Sequence, residues 1–367
     1  MKGYFTDFEG NRLYDLDEPV WKAPNDSPLN IYFPIKIDPL RIKNRKYNLW
    51  RYREAIPLND DRNIISFDEG FTPLLKFMLN GRTVFIKQDH LFQTGSYKDR
   101  GAAVLISKVK ELGIRKVVQD SSGNAGASVA AYCAKAGIEC EIFVPAQTSR
   151  SKLKQIEMYG ARLFKINGSR EDAASAAFER AEKFYYASHC RNPFFFQGTK
   201  TFAYEICEQL NWKSPDAVIL PAGNGTLILG CYLGFKDLIL SGITEKLPKI
   251  IAVQAERCAP LKAAFDLKSY KIPVIKKNDT IAEGIAIAEP VRGEQMMKII
   301  YESDGKVLTV SEEEIVTEWK NMSRRGFYIE PTSAATIAGM SKYLESASED
   351  ELIVTTFTGS GLKSSLK

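Results

Sequence analysis

Histidine is scarce in this 367-residue sequence, which contains only His90 and His189. Neither lies at metal-ligand spacing from another histidine or a cysteine, so we expect neither a histidine-built zinc site nor a histidine-based triad. The six cysteines form no C-x-x-C pair and lie mostly in apolar or amphipathic stretches. We therefore expect no metal site, and reduced, packed thiols in a cytoplasmic protein.

The sequence also lacks a long apolar segment and a block of basic residues. Its best apolar run, residues 226–235, ends at Lys236 and Asp237, well short of the ~20 residues that cross a bilayer. The first thirty residues have no continuous apolar core, so we expect neither a signal peptide nor a membrane partner. The formal net charge of +5 is spread along the chain, which argues against nucleic acid as a partner.

Apolar residues make up 44% of the sequence, enough for a large core in one bilobal unit or two domains. From Val84 onward, short β-branched runs alternate with amphipathic stretches, a pattern typical of an α/β fold with mostly parallel sheets. It predicts helices over residues 98–112, 124–136 and 149–159, closed by Gly113, Gly137 and Gly160. It also predicts strands at 217–223, 249–256 and 352–357, and helices from about Ser311 and Thr332.

The first ~65 residues are rich in proline and aromatic residues and indicate a wrapping arm with short elements. Residues 187–201 have a similar composition and indicate a joint. We expect an N-terminal arm and part of a large domain over residues 1–80, a small α/β domain over 81–196 and a large α/β domain over 197–367. Each lobe would have three layers with a twisted, mostly parallel sheet, and the functional site would occupy the cleft between the lobes.

Three strand-to-helix junctions carry candidate chemistry. The first is TGSYKDRG at residues 94–101. Ser96 and Asp99 have the spacing of a capping box, which would need no functional role. Lys98, however, falls in the first helical turn, where the helix dipole disfavours a cation and where an amine suits a nucleophile. The residues alone leave both interpretations open.

The second and third junctions, DSSGNAGAS at 120–128 and LPAGNGT at 220–226, combine small residues with hydroxyl groups. Such loops can bring the backbone N–H groups at a helix start close to a carboxylate or a phosphate, although the second could also be a tight turn with an ordinary cap. The third is not a Walker loop, because no Gly-Lys-Ser/Thr follows it. A dinucleotide site is disfavoured too, because the third glycine of G-x-G-x-x-G is missing.

Six motifs occur in the order found in pyridoxal-phosphate enzymes of the tryptophan-synthase-β fold (fold type II): TGSYKDRG, SSGNAGAS, PAGNGT, TIAEGIA, IEPTSAA and TGSGLK. Two further segments, FDEGFTPL at 67–74 and NPFFFQGTKT at 192–201, are similar to threonine synthases. The resemblance extends from about Glu69 to Lys363. It implies pyridoxal 5′-phosphate as the cofactor, a small amino acid as the substrate and a homodimer.

Carried over position by position, the resemblance also implies roles for individual residues. Lys98 would hold the cofactor as a Schiff base, Asn124 would contact its O3′ atom and Thr358 would face its pyridine nitrogen. The cofactor phosphate would be held by Gly223, Asn224, Gly225 and Thr226. The substrate would contact Ser121, Ser122, Gly123, Asn124, Ala125 and Phe195. Asp99 and Arg100 would brace the lysine turn, and Glu283 and Glu330 would be either supporting acids or helix caps.

Two departures from the threonine synthase pattern bear on the substrate. Where that family has a threonine and an arginine beside the substrate phosphate, this chain has Ala125 and Phe195, neither of which can donate a hydrogen bond to it. We therefore predict a lyase or β-replacement enzyme for a small L-amino acid with a β leaving group. The alternatives are a threonine synthase that converts O-phosphohomoserine through a rearranged phosphate site, and an inactive binding subunit, which the intact Lys98 argues against.

The predicted reaction begins when an incoming amino acid displaces Lys98, whose amine then takes the Cα proton while the cofactor ring stores the electrons. A hydroxyl at Thr358 cannot protonate the pyridine nitrogen as a carboxylic acid would. The ring would therefore be a mild electron sink, which favours loss of a β leaving group over transamination.

Overall fold

The computed structural model describes residues 3–364, apart from the side chains of residues 151 and 152. The strands are β1 Tyr4–Thr6, β2 Arg12–Asp15, β3 Asn30–Tyr32, β4 Leu74–Leu79, β5 Arg82–Lys87, β6 Lys116–Gln119, β7 Glu139–Pro145, β8 Arg162–Ile166, β9 Tyr185–Tyr186, β10 Ala217–Pro221, β11 Lys249–Ala255, β12 Lys306–Val310 and β13 Ile353–Thr356. The α-helices are α1 Pro39–Ile42, α2 Lys98–Glu111, α3 Asn124–Ala136, α4 Arg150–Met158, α5 Arg170–Arg180, α6 Pro193–Thr199, α7 Thr201–Gln209, α8 Thr226–Leu240, α9 Pro260–Asp266, α10 Gly293–Glu302, α11 Glu312–Arg324 and α12 Pro331–Leu344. Short 3₁₀ turns lie at Leu49–Ala55, Asp61–Asn63, Asp89–Leu91, Glu283–Ile285 and Gly361–Lys363.

The described chain divides into two compact units. The first contains the residues up to Gly70 and Phe92–Thr199, and the second contains Phe71–Leu91 and Lys200–Ser364. The N-terminal arm, expected with part of the large domain up to residue 80, therefore lies in the first unit up to Gly70. Residues 81–91, expected in the small domain, lie in the second, because β5 pairs in parallel with β13.

The first unit contains a four-stranded sheet in the order β8-β7-β6-β9. All three strand pairs are parallel, as the alternation of β-branched runs and helical stretches predicts. Val117, Val118, Ile142 and Val144 point into a core shared with helices α2 and α3. The N-terminal segment adds a small antiparallel sheet in the order β2-β1-β3.

The second unit contains a six-stranded sheet in the order β12-β11-β10-β13-β5-β4. Its pairs are parallel except for the edge hairpin β4–β5. Strand β10 is buried along its whole length, which is why its sequence is continuously apolar rather than alternating. The predicted fold class, α/β with mostly parallel sheets, is therefore confirmed. Within residues 3–364, no helix has both the length and the apolar character needed to cross a membrane.

Several helix boundaries match the sequence predictions. Gly113, Gly137 and Gly160 all have positive φ angles, of 70°, 68° and 81°, the left-handed conformation that ends helices at glycine. Helix α11 begins with the Ser311–Glu314 capping box. Helix α5 ends at Arg180, and the chain then forms the short strand β9. The expected joint is largely helical, since α6 starts at Pro193, a residue that suits a first helical turn.

Candidate active site

The turn around Lys98 is organised by the carboxylate of Asp99. Asp99 accepts hydrogen bonds from the Thr94 backbone N–H at 2.8 Å, the Thr94 hydroxyl at 2.5 Å and the Ser128 hydroxyl at 2.6 Å. The expected capping box between Ser96 and Asp99 is therefore wrong, since Ser96 Oγ is buried and makes no hydrogen bond among the described residues. Asp99 ties the loop before α2 to helix α3, which fixes the position of Lys98.

Two aromatic rings lie beside the Lys98 amine. Nζ is 4.7 Å from the centroid of the Tyr97 ring and 6.0 Å from that of the Phe195 ring. Phe195 is completely buried, and its ring packs so closely on Gly101 of α2 that a Cβ at Gly101 would clash with it. The substrate-side position that the sequence analysis singled out is thus an apolar surface next to the amine.

The second predicted junction joins β6 to α3. The N-cap residue Gly123 has no side chain with which to cap the helix start. A Cβ at Gly126 would clash with the Ser121 backbone carbonyl, which shows how tightly the loop folds back on the helix. Ala125 is buried with 2% of its surface exposed, and its methyl group offers no donor beside Asn124.

The third predicted junction joins β10 to α8 in the second unit. Gly225 has a φ angle of +79° and is the N-cap of α8, and no side chain caps this helix. A Cβ at Gly223 would lie 2.8 Å from the Gly284 backbone oxygen, and one at Gly225 would lie 2.5 Å from Met296 Sδ. Glycine is required at both positions, and the N-terminus of a 15-residue helix is a position at which a phosphate could bind.

Thr358 lies at the same edge of this sheet, because β10 and β13 run in parallel and the loop and Thr358 each follow a strand end. Thr358 is almost completely buried, with 1% of its surface exposed. Its hydroxyl is 3.0 Å from Glu330 Oε1 and 2.9 Å from Ser333 Oγ. Glu330 is the N-cap residue of α12, yet its side chain makes no capping hydrogen bond. Of the two roles predicted for Glu330, its geometry therefore favours that of a supporting acid.

His189 is a buried residue near Lys98 for which the sequence predicted neither a zinc site nor a catalytic triad. Its ring centroid is 6.2 Å from that of Phe195, and its Nδ1 has no hydrogen-bond partner among the described residues. Burial, reinforced by the charges of Lys98 and Arg170, holds the pKa of His189 well below its usual value. The imidazole is therefore neutral near pH 7. The only feature of the sequence that could have drawn attention to His189 is its position six residues before Phe195, within the segment 187–201 that was expected to be a joint.

Asp120 is a second polar residue that was not singled out, although it begins the DSSGNAGAS junction. Its Oδ1 is buried without a hydrogen-bond partner, and burial raises the pKa of its carboxyl group. Over the part of the chain that the structure describes, no cluster of three or more His, Cys, Asp or Glu side chains could hold a metal ion.

These donors fit the cofactor that the resemblance implies. Lys98 could supply an amine at a helix start braced by Asp99, and the backbone N–H groups at the start of α8, where the N-cap is Gly225, could supply donors to a phosphate. Thr358 supplies a buried hydroxyl for a heterocyclic nitrogen. The requirement for glycine at residues 223 and 225 further matches a loop whose backbone must approach an anion closely.

Comparison with known proteins agrees with this description. The sequence pattern of the family described as "Pyridoxal-phosphate dependent enzyme" matches residues 65–359. The threonine synthase of Methanocaldococcus jannaschii is 37% identical over 367 residues, covering 96% of this chain and 91% of that protein. The threonine synthase of Methanosarcina acetivorans is 34% identical, covering 95% of this chain and 89% of that protein.

Solved structures show the same fold. The processed form of threonine deaminase isoform 2 from Solanum lycopersicum superposes with a TM-score of 0.72 at 22% identity, covering 95% of this chain and 96% of that chain. The serine racemase of Dictyostelium discoideum gives a TM-score of 0.69 at 27% identity, covering 86% and 98%. The resemblance to fold type II enzymes and the predicted cofactor are thus confirmed. The chain belongs to the pyridoxal-phosphate dependent enzyme family, and its cofactor is pyridoxal 5′-phosphate.

Proposed function

We propose that this enzyme acts on a small L-amino acid with a β leaving group, by elimination or by β-replacement. The observation that carries the proposal is the buried Phe195 ring, whose centroid lies 6.0 Å from the Lys98 amine. A side chain without a hydrogen-bond donor at this position cannot compensate for the desolvation of a substrate phosphate. An uncharged or small β-substituent meets no such penalty.

In the proposed reaction, the residues named above have two kinds of role. Lys98 Nζ would hold the cofactor covalently and, once released, its amine would accept the Cα proton of the substrate. Residues 121–124 at the start of α3 would bind the substrate carboxylate, and Asn124 would also contact the cofactor. When bound, pyridoxal phosphate supplies an electron sink conjugated to Cα.

Gly223 to Thr226 would hold the cofactor phosphate, and Thr358 would bind on the side of the pyridine nitrogen. The uncapped N-terminus of α8 supports the first assignment, and the buried hydroxyl supports the second. We further propose that the enzyme works as a cytoplasmic homodimer, as the family resemblance implies. Sedimentation of the purified protein tests its oligomeric state.

A specific observation favours threonine synthase as a second candidate function. Two proteins with that name align with more than nine-tenths of this chain at 37% and 34% identity. That reaction would require a phosphate site without the two donors that Ala125 and Phe195 replace. His189, which is buried beside Phe195 and has an unpartnered Nδ1, could supply only a neutral donor to such a site.

The two candidates are separated by assaying the purified holoenzyme with serine, threonine, diaminopropionate, phosphoserine and O-phosphohomoserine. Release of ammonia, keto acid, phosphate and threonine is followed for each substrate. We expect the highest kcat/KM with an uncharged or small β-substituted amino acid, and poor use of O-phosphohomoserine. Efficient threonine formation, with kcat/KM on the order of 10⁴ M⁻¹s⁻¹ or more, would overturn the proposal and establish threonine synthase.

A pair of substitutions tests whether the missing hydrogen-bond donors at residues 125 and 195 cause the expected poor use of O-phosphohomoserine. The double variant Phe195→Arg, Ala125→Thr restores both family donors, and we expect it to use O-phosphohomoserine at least about tenfold better than the unaltered enzyme. Phe195→Leu, which stays apolar, is the matched control and should bring no gain. The effects of substituting Phe195 and Ala125 need not be additive, because both residues would contact the same substrate. The activity of the double variant is therefore measured directly rather than inferred from the single variants. Inhibition of the unaltered enzyme by O-phosphohomoserine gives a binding measurement that depends on no variant.

A further inference from the structure

His189 is a buried histidine whose hydrogen bonding is incomplete within the chain. Only 5% of its surface is exposed, and its Nδ1 atom has no hydrogen-bond partner among the described residues. Buried polar atoms in folded proteins nearly always have a partner, because leaving one without a hydrogen bond is unfavourable. We therefore expect Nδ1 to pair with a molecule that binds beside it, such as water or a ligand.

The imidazole lies in the surroundings of the Lys98 amine. Its ring centroid is 6.2 Å from that of Phe195, and the Phe195 ring centroid is 6.0 Å from Lys98 Nζ. The charge of Lys98 is also close enough to help lower the pKa of His189. Phe195 itself offers no hydrogen bond, so His189 supplies a polar atom next to the apolar surface beside the amine.

Strand pairing brings His189 to the same sheet edge as the DSSGNAGAS junction. Strands β6 and β9 are parallel neighbours, and His189 follows β9 as the junction follows β6. Ala187 stays beside the end of β6, because its N–H donates to the Val118 carbonyl at 2.9 Å and its carbonyl accepts from Gln119 Nε2 at 2.8 Å. Ligands of open parallel sheets bind outside the carboxyl ends of the strands, which is where both loops begin.

The segment that carries His189 is held in place on both sides. Its neighbours Ser188 and Asn192 are completely buried, and the Asn192 N–H donates to the Ser188 carbonyl at 3.1 Å. Asn192 Nδ2 donates to the Tyr185 hydroxyl at 2.9 Å and to the Tyr186 carbonyl at 3.1 Å. Because this loop is fixed, the imidazole is presented to a ligand without further ordering of the chain.

The charge state of the ring limits which groups can pair with Nδ1. Burial, together with the charges of Lys98 and Arg170, holds the pKa of His189 well below its usual value, so the imidazole is neutral near pH 7. In a neutral imidazole one nitrogen donates and the other accepts. A hydroxyl group can do both, so it pairs with Nδ1 in either tautomer, whereas a methyl group pairs in neither. An ionised phosphate oxygen only accepts, and a neutral ring does not compensate its charge.

We propose that His189 is a specificity-determining residue whose Nδ1 forms a hydrogen bond with a hydroxyl group on Cβ of the substrate, so that the enzyme selects β-hydroxy amino acids. The inference rests on the proposed function, in which the substrate is a small L-amino acid with a β leaving group. It narrows that leaving group to a hydroxyl. It also assigns the polar contact that Ala125 and Phe195 cannot make.

The test compares the binding of L-serine and L-alanine to the holoenzyme, because these two amino acids differ only in the Cβ hydroxyl. Binding is measured from the absorbance of the cofactor immediately after rapid mixing, before turnover. We expect the unaltered enzyme to bind serine at least about tenfold more tightly than alanine. In His189→Leu, which has no hydrogen-bonding atom in its side chain, the two affinities should differ by less than about threefold.

The other histidine of the chain provides the matched control. His90 Nδ1 is likewise buried without a partner among the described residues, and its ring packs against Phe357 at a centroid distance of 5.5 Å. His90→Leu should therefore keep the preference for serine. Equal affinities in the unaltered enzyme would overturn the proposal, since Nδ1 would then pair with water only. So would a preference that persists in a folded His189→Leu variant.

A second measurement needs no substitution of His189. The chain contains only two histidines, so nitrogen-15 labelling of histidine gives few ring resonances, and comparison with His90→Leu assigns them. In the unaltered holoenzyme, we expect the Nδ1 resonance of His189 to shift with excess serine and to stay in place with alanine. Equal responses to the two amino acids would overturn the proposal. Failure of the proposed function is detected separately, as efficient threonine formation from O-phosphohomoserine in the product assay.

Discussion

At the residue scale, the surroundings of Lys98 combine rigidity with an apolar face. Asp99 fixes the turn through Thr94 and Ser128, and Tyr97 and Phe195 place aromatic rings beside the amine. The flexible side chain thus starts from a fixed backbone and lies beside two aromatic rings. Such an arrangement suits an amine that must alternate between covalent attachment and proton transfer.

We predict that Lys98→Ala folds and still binds pyridoxal phosphate, but only noncovalently. Turnover should fall by at least about a thousandfold, because the covalent attachment and the base are lost together. Steady-state kinetics measures the loss, and borohydride reduction followed by mass spectrometry detects the covalent link. Lys110→Ala, an exposed lysine on the same helix, is the matched control and should behave like the unaltered enzyme. Near-normal turnover in Lys98→Ala would show that another group does this chemistry.

At the element scale, the junction between β10 and α8 should determine cofactor affinity. Gly225→Asp places a negative charge where the phosphate must meet backbone N–H groups, and we expect affinity to fall at least about a hundredfold. Gly225→Ala introduces the same Cβ and the same positive-φ strain without the charge, so the difference between the two variants isolates the electrostatic effect. Fluorescence titration of the apoenzyme measures affinity, and circular dichroism confirms folding. Equal affinity in the two variants would place the phosphate elsewhere.

The elements that the sequence predicted are those with a local signal. Helices α2 and α3 follow apolar strands and end at glycine, and both were expected within one residue of their ends. The interactions that were missed depend on distant partners. Asp99 has the spacing to cap its own helix, yet its carboxylate accepts a hydrogen bond from Ser128, which is 29 residues away in the sequence. Likewise, the motif IEPTSAA does not indicate that the Glu330 side chain contacts Thr358 instead of capping its own helix, because that contact depends on the turn after β13.

At the scale of the whole molecule, strand pairing explains why the domain boundaries were harder to predict than the fold class. The chain enters the second unit at Phe71 and returns to the first at Phe92. The segment between these two crossings contains the hairpin β4–β5, and β5 pairs with β13 near the end of the described chain. A local pattern identifies such a hairpin as β structure but cannot name a partner some 270 residues away. The fold class depends only on the alternation of strands and helices, which is local.

The response of the whole molecule to acid depends on carboxylates of two kinds. Hydrogen bonds and ion pairs hold the pKa values of Glu54, Glu141 and Glu351 below their usual range. These groups stabilise the fold above the pKa of an unfolded glutamate, about 4.3, and lose that contribution as the pH falls through their folded values. Burial instead raises the pKa values of Glu69 and Asp120, so acidification relieves a cost at those two residues.

Glu141 provides the sharpest test of this balance. Its side chain is only 3% exposed, and its carboxylate accepts hydrogen bonds from Arg180 at 2.8 and 3.2 Å, the main cause of its lowered pKa. Glu141→Gln keeps the shape and removes the charge, so we expect a loss of about 1 kcal/mol in the free energy of unfolding at pH 7, because Arg180 remains partly solvated. Urea unfolding at pH 7 and at pH 3.5 measures the loss. The difference from the unaltered protein should shrink at pH 3.5, which is below the pKa of an unfolded glutamate, about 4.3, because the unfolded chain then binds a proton that folded Glu141 resists. Glu349→Gln changes an exposed residue and should leave the free energy of unfolding unchanged at either pH. If Glu141→Gln lost the same free energy of unfolding at both pH values, the side chain would act through packing rather than through its charge.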